Sequence, residues 1–198
     1  MSAHLYIEGA QCKTDQILCR KAFSTLLKDA GLEKMPRLTA SGPRNAAFDA
    51  FKTAHASRNS GDFIAMLVDS EDPVADPEQP WTHLKQRPGD NWDRPVGADD
   101  DQALLMATCM ETWIVADREA LKHHYGHKLQ ENALPALHAL ETRHRHDVHA
   151  KLEHATRNCS NAYRKGKRSF EVLETLSAKA LSELPSFARL IRVLKARL

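Results

Sequence analysis

The chain carries neither a G-x-x-x-x-G-K-[ST] loop nor a G-x-G-x-x-G stretch. That excludes the two common glycine-rich phosphate cradles. No Ser-His-Asp pattern appears either, so a hydrolase triad is set aside. The four cysteines (Cys12, Cys19, Cys109, Cys159) include no C-x-x-C pair and no zinc spacing, which implies free thiols in a reducing compartment. No apolar run approaches the ~20 residues of a membrane span. The start "MSAHLYIEG" lacks the charged and apolar regions of a secretion signal, and the expected location is the cytoplasm. Eleven histidines include the clusters "HHYGH" and "RHRHDVHAKLEH", but neither has a recognisable zinc-ligand spacing. There are no internal repeats and no low-complexity segments.

What remains is a pattern of alternating strands and helices. "AHLYIEG" reads as a first strand ending at Glu8-Gly9. An apolar stripe follows over Asp15 to Ala30 (Cys19, Phe23, Leu26, Leu27, Ala30), closed by Gly31 as a helix C-cap. "MPRLTAS" reads as a second strand. "GPRNAAFDAFKTAHASR" reads as a loop feeding a helix with Ala47, Phe51 and Ala54 inward. "DFIAMLV" is apolar on both faces, as a central parallel strand covered by helices is. This alternation predicts an α/β fold with a parallel sheet flanked by helices, whose ligands bind beyond the carboxyl ends of the strands. Further on, Gln102 to Ala107 is expected as a helical turn and Met110 to Ala116 as a strand, with Glu111 and Trp113 on one face. After Leu134-Pro135 the chain reads as mostly helical. Two parts are expected: a core over 1–130 with a long acidic loop at 70–101, and a helical, basic extension over 131–198 packed on it.

The stretch "FIAMLVDSEDPV" puts Asp69, Glu71 and Asp72 immediately after a buried strand. Two unit charges about 4 Å apart at an effective dielectric of ~20 repel by roughly 4 kcal/mol. A loop anchored to a core strand relieves this less readily than a free one, so a bound cation competes with the alternative of a solvated acidic turn. Glu8 ends the first strand and Asp69 the third, which places them on one rim. Glu8 also reads as a partner for the N-terminus of the Asp15 helix. Glu111 is a third acidic point, and equally an ordinary acid on an amphipathic strand. One or two carboxylates with water and phosphate oxygens suit Mg²⁺.

Charge is distributed unevenly although the net value is only +2. Positions 69–101 hold ten acids against three bases, and positions 143–168 hold eight bases against two acids. An acidic metal site facing a phosphate-binding surface gives this asymmetry, as do many helical surfaces. Lys165 and Lys167 flank Gly166 before "SFEVL", where their ammonium groups can meet a phosphate near a helix start. Arg44 and Arg157 are further substrate-binding candidates. Trp81 and Trp92 are expected to pin the 70–101 loop, with base stacking as the alternative role. The length of that loop points to function.

"LYIEG", followed by an apolar strand ending in "LVDSED", resembles the Toprim domain of topoisomerases, primases and the overcoming-lysogenization-defect nucleases. The resemblance implies that Glu8, Asp69 and Glu71 hold Mg²⁺ (or Mn²⁺), with Asp72 and Glu111 as auxiliary ligands. Toprim proteins often carry an Asp a few residues after the Glu-Gly; here only Asp15 is available. "GPRNAAFDAF", "PWTHLKQR", "DDQALLMATCMETWIVADREAL", "NALP" and "KGKRSFEVL" extend the likeness to a compact bacterial Toprim-like family of unknown function. That family is often encoded beside ABC-type ATPases in defence-type gene neighbourhoods. The resemblance implies a metal-dependent nuclease acting on DNA or RNA with an ATPase partner in anti-phage defence. Glu8, Asp69, Glu71 and Lys165 would then be catalytic. The alternative is a non-catalytic regulatory subunit of the ATPase complex.

Overall fold

The computed structural model describes residues 2–198 and is built on a four-stranded, all-parallel sheet. Strands β1 (Ala3–Ile7) and β2 (Arg37–Ala40) are joined by helix α1 (Lys13–Asp29), and α2 (Arg44–Ala56) leads into β3 (Phe63–Asp69). A short helix, α3 (Pro80–Gln86), lies between β3 and β4 (Ala103–Met106). The strand order is β2-β1-β3-β4. Alternation along β3 sends Phe63, Ala65 and Leu67 to one face and Ile64, Met66 and Val68 to the other, and both faces are covered. The α/β parallel architecture is therefore as the sequence pattern predicts.

One layer is small. Phe48 and Phe51 of α2 pack with Ile64, Met66 and Val68 under Trp81 and Trp92. Phe48 stacks on Trp92 at 4.2 Å between ring centroids, and the indole N–H of Trp81 donates to Asp99 O at 2.9 Å. The two tryptophans pin the 70–101 loop to the body, as expected.

The other layer is larger and includes most of the C-terminal half. It comprises α1, α4 (Met110–Ala116), α5 (Arg118–Tyr125), α6 (Arg145–Thr156), α7 (Lys167–Leu173), α8 (Ala178–Leu181) and α9 (Pro185–Arg197). Trp113 sits at its centre, edge-on to Phe187 at 5.1 Å and to Phe23 at 6.4 Å. Fully burying a side chain such as Phe23 or Phe187 stabilises the fold by about 1.5–3 kcal/mol. Residues from 1–130 and from 131–198 share this core. The buried Arg189 of α9 reinforces the join by donating to Ala103 O at 3.1 Å and Asp100 O at 2.7 Å.

Two expectations fail between positions 102 and 116. The strand is Ala103–Met106, where a helical turn is expected, and Met110–Ala116 is a helix rather than a strand. Glu111 through Val115 are all buried, so the segment has no solvent face to impose a helical period. Its apparent alternation carries no information for that reason. The run "ALLM" is too short and too uniformly apolar for periodicity to separate the alternatives. No helix among the described residues is long and apolar enough to cross a membrane.

Candidate metal centre

The carboxyl ends of β1, β3 and β4 deliver the acids to one rim. Beyond Ile7 the chain stays paired for one more residue, with Glu8 N–H donating to Leu67 O at 2.9 Å. Gly9 then forms a two-way bridge with Gly42 (2.8 and 3.1 Å), drawing the ends of β1 and β2 together. Gly9 has φ +122°, and a Cβ there would stand 3.3 Å from the Phe170 ring. Only glycine suits the position.

Glu8 Oε2 accepts the backbone N–H of Asp69 at 3.0 Å. Asp69 Oδ1 accepts the N–H of Met110, the first residue of α4, at 2.8 Å. Glu71 adopts φ +69°, a left-handed conformation that costs a non-glycine residue about 1–2 kcal/mol. Its N–H donates to Thr108 O at 2.7 Å, and its carboxylate pairs with Arg87 (3.4 Å) and with Arg145. One oxygen each of Glu8, Asp69 and Glu71 lies within 4.8 Å of the others, an arrangement able to hold a metal ion.

Burial pushes the Glu8 carboxyl above its ordinary range, with Arg44 opposing the shift. Burial raises Asp69 much further, and the neighbouring Glu8 and Glu111 add to the rise while Lys165 opposes it. In neither group does the nearby positive charge offset the cost of burial. All the donors are hard carboxylate oxygens, the set preferred by Mg²⁺ and Mn²⁺ over softer ions.

Glu8 and Asp69 open onto a cleft of about 640 Å³ that Glu111, Asp15, Arg44 and Lys165 also line, whereas Glu71 is not part of its lining. Glu111 is buried and accepts the Tyr163 hydroxyl at 2.6 Å. Burial first, then Glu111, holds the Tyr163 phenol well above its usual pKa, which keeps it a donor. Lys165 Nζ stands 3.8 Å from the same Glu111 oxygen. A lysine distant in sequence thus faces the acids across the cleft.

The remaining candidates stand outside the three-acid group. Asp72 is bound to Arg87 at 3.0 Å and stands outside the three-acid group. Lys167 turns to Glu171 at 3.6 Å, and the exposed Arg157 lies against His154 at 3.3 Å; neither lines the cleft. Arg44 does line it, but its guanidinium binds Asp90 at 2.6 Å and approaches Glu8 only to 3.7 Å. Sequence reasoning missed Arg87, Arg145, Asp90 and Tyr163. Each acts through a contact far along the chain, for which no local spacing gives a signal. The 70–101 acids are also less bare than their number implies. Glu78 pairs with Arg189 and Arg192, and Asp99 and Asp101 pair with Arg197.

A family model described as a domain of unknown function (DUF4276) matches residues 8–195. No curated protein and no solved structure matches the chain.

Proposed function

The chain belongs to the DUF4276 family, and from the geometry of its cleft we propose that it is a cytoplasmic, Mg²⁺- or Mn²⁺-dependent nuclease cleaving phosphodiester bonds of DNA or RNA. The observation that carries the reading is the meeting of Glu8, Asp69 and Glu71 within 4.8 Å at the sheet rim, with Lys165 lining the cleft onto which Glu8 and Asp69 open. A divalent ion held there supplies an activated water and stabilises the leaving oxygen.

The chain's own groups do the rest. Glu8 and Asp69 are the principal ligands because their oxygens face the cleft. Glu71 completes the set from the side, its charge shared with Arg87 and Arg145. Glu111 holds the ammonium of Lys165 near the acids, and the Tyr163 hydroxyl fixes the Glu111 carboxylate. Lys165 is the cation placed to meet a phosphate oxygen. Its side chain is 62% exposed, so it can approach a substrate entering from solvent. Arg164, its neighbour in the chain, is likewise exposed. Partnership with an ABC-type ATPase, and a role in anti-phage defence, are supported by the sequence resemblance.

Cleavage of single- and double-stranded DNA and RNA in Mg²⁺ and Mn²⁺, with and without the ATPase, tests the reading. The wild type is expected to cut only with metal, and Asp69→Asn to be inactive. Lys165→Ala is expected to lose about 10²–10³-fold in rate through the missing electrostatic stabilisation. A reconstituted complex in which Asp69→Asn keeps full activity would overturn the nuclease reading and favour a regulatory subunit.

A further inference from the structure

The 70–101 loop brings one buried acid, Asp90, to the back of the three-acid group. Its side chain is 3% exposed and lies between two guanidinium groups. Arg44 grips it through Nε–Oδ1 (3.0 Å) and Nη2–Oδ2 (2.6 Å), and Arg87 reaches Oδ1 through Nη1 at 3.1 Å. Each arginine also faces a member of the acidic group. The remaining nitrogen of Arg44, Nη1, stands 3.7 Å from Glu8 Oε2, and Arg87 Nη2 stands 3.4 Å from Glu71 Oε2. Arg44 lies over the Trp92 ring at 4.7 Å, and Trp92 comes from the same loop.

The odd feature is Arg44 Nη1. It is buried and has no hydrogen-bond partner, although a carboxylate is just beyond reach. Leaving a buried donor unpaired is costly, so something must hold it short of Glu8. Closing the gap to a charge-assisted bond of about 2.8 Å would need a shift of only about 1 Å. The bidentate grip of Asp90, with the Trp92 ring against the guanidinium, prevents that shift.

We propose that Asp90 is a positioning residue for the metal centre, engaging Arg44 so that its guanidinium does not close on Glu8 and that carboxylate stays available to a divalent cation, while Arg87 remains shared among Asp90, Asp72 and Glu71. The inference rests on the metal reading above and gives the long loop a specific task. Without Asp90, Arg44 would lose its hydrogen-bonded carboxylate and would pair with Glu8 in place of the ion, whereas Arg87 would keep Asp72 and Glu71.

The test is Mn²⁺ binding to the full chain, followed by electron paramagnetic resonance of the free ion. Outer partners of metal ligands typically contribute 10–100-fold in affinity, so Asp90→Asn is expected to weaken Mn²⁺ binding by about that factor. Arg44→Gln is expected to bind as tightly as the wild type or more so, because the competing cation is gone. The double variant Asp90→Asn/Arg44→Gln is expected to recover to within about threefold of wild type, a coupling that independent sites do not show. A merely structural Asp90 would lower the melting temperature without this rescue. Unchanged affinity in Asp90→Asn, or a double variant as weak as Asp90→Asn alone, would overturn the inference while leaving the metal reading intact. If Asp90→Asn fails to fold, Arg44→Gln decides, and a tenfold loss there overturns the inference. A wild type that takes up no Mn²⁺ removes the metal reading and this inference together.

Discussion

Asp69→Asn is expected to separate metal binding from folding. Oxygens of Glu8, Asp69 and Glu71 lie within 4.8 Å of one another, so at an effective dielectric of ~20 each ionised pair repels by about 3.5 kcal/mol or more. Arg44, Arg87 and Arg145 offset part of this for Glu8 and Glu71. Asp69 has no such ion pair and is the least compensated of the three. The asparagine variant keeps an oxygen to accept the Met110 N–H, now at 2.8 Å, and loses one repelling charge. Its metal-free melting temperature is expected to equal or exceed that of the wild type. An ion that binds only the native state adds about 2.7 kcal/mol at a hundredfold excess over Kd. For a chain of 198 residues that corresponds to about 5–11 °C. Differential scanning fluorimetry in EDTA and in Mg²⁺ or Mn²⁺ reads both quantities. The wild type is expected to shift upward with metal and Asp69→Asn to show no shift. Should Asp69→Asn melt well below wild type in EDTA, Asp69 is a structural residue and the reasoning is refuted.

Three other outcomes follow from the same structure. Arg164→Ala/Lys165→Ala is expected to flatten the slope of log K against log [salt] for nucleic-acid binding by about 1.4–1.8 units, whereas Lys167→Ala, whose charge is paired with Glu171, changes it little. Asp117→Ala is expected to lower stability by about 2–3 kcal/mol in urea melts, because this buried side chain accepts both Ala120 N–H (2.9 Å) and Ser177 N–H (2.7 Å). Burial depresses the pKa of His55, whose ring lies between Val96 O and Gln102, so the unfolded chain takes up its proton first as pH falls below about 6.5. Stability is thus expected to decline below that pH, less so in His55→Gln, as followed by urea melts across pH 5–8.

How much of this was legible in the sequence depended on the range of each interaction. β1, β3, α1 and α2 were readable because each has either a helical period or a continuous apolar run between turn residues. Glu8 and Asp69 were readable as partners because a parallel sheet brings strand ends to one rim. The 103–116 stretch was not readable, because α4 is buried on every side and β4 has only four apolar residues. The position of Lys165 opposite the acids depends on Tyr163 and Glu111 meeting across 52 residues. Spacing could suggest that Lys165 meets phosphate but not where. The same applies to Glu71, whose guanidinium partners come from the 70–101 loop and from α6.

The central claim is that Glu8 and Asp69, with Glu71 beside them, hold a divalent cation. Anomalous diffraction from a crystal soaked in Mn²⁺ tests it most directly. The account predicts a manganese peak within bonding distance of Glu8 and Asp69 oxygens, on the cleft side facing Lys165, and no such peak in Asp69→Asn. Peaks confined to surface histidines such as His144 or His146, with none at the sheet rim, would contradict it.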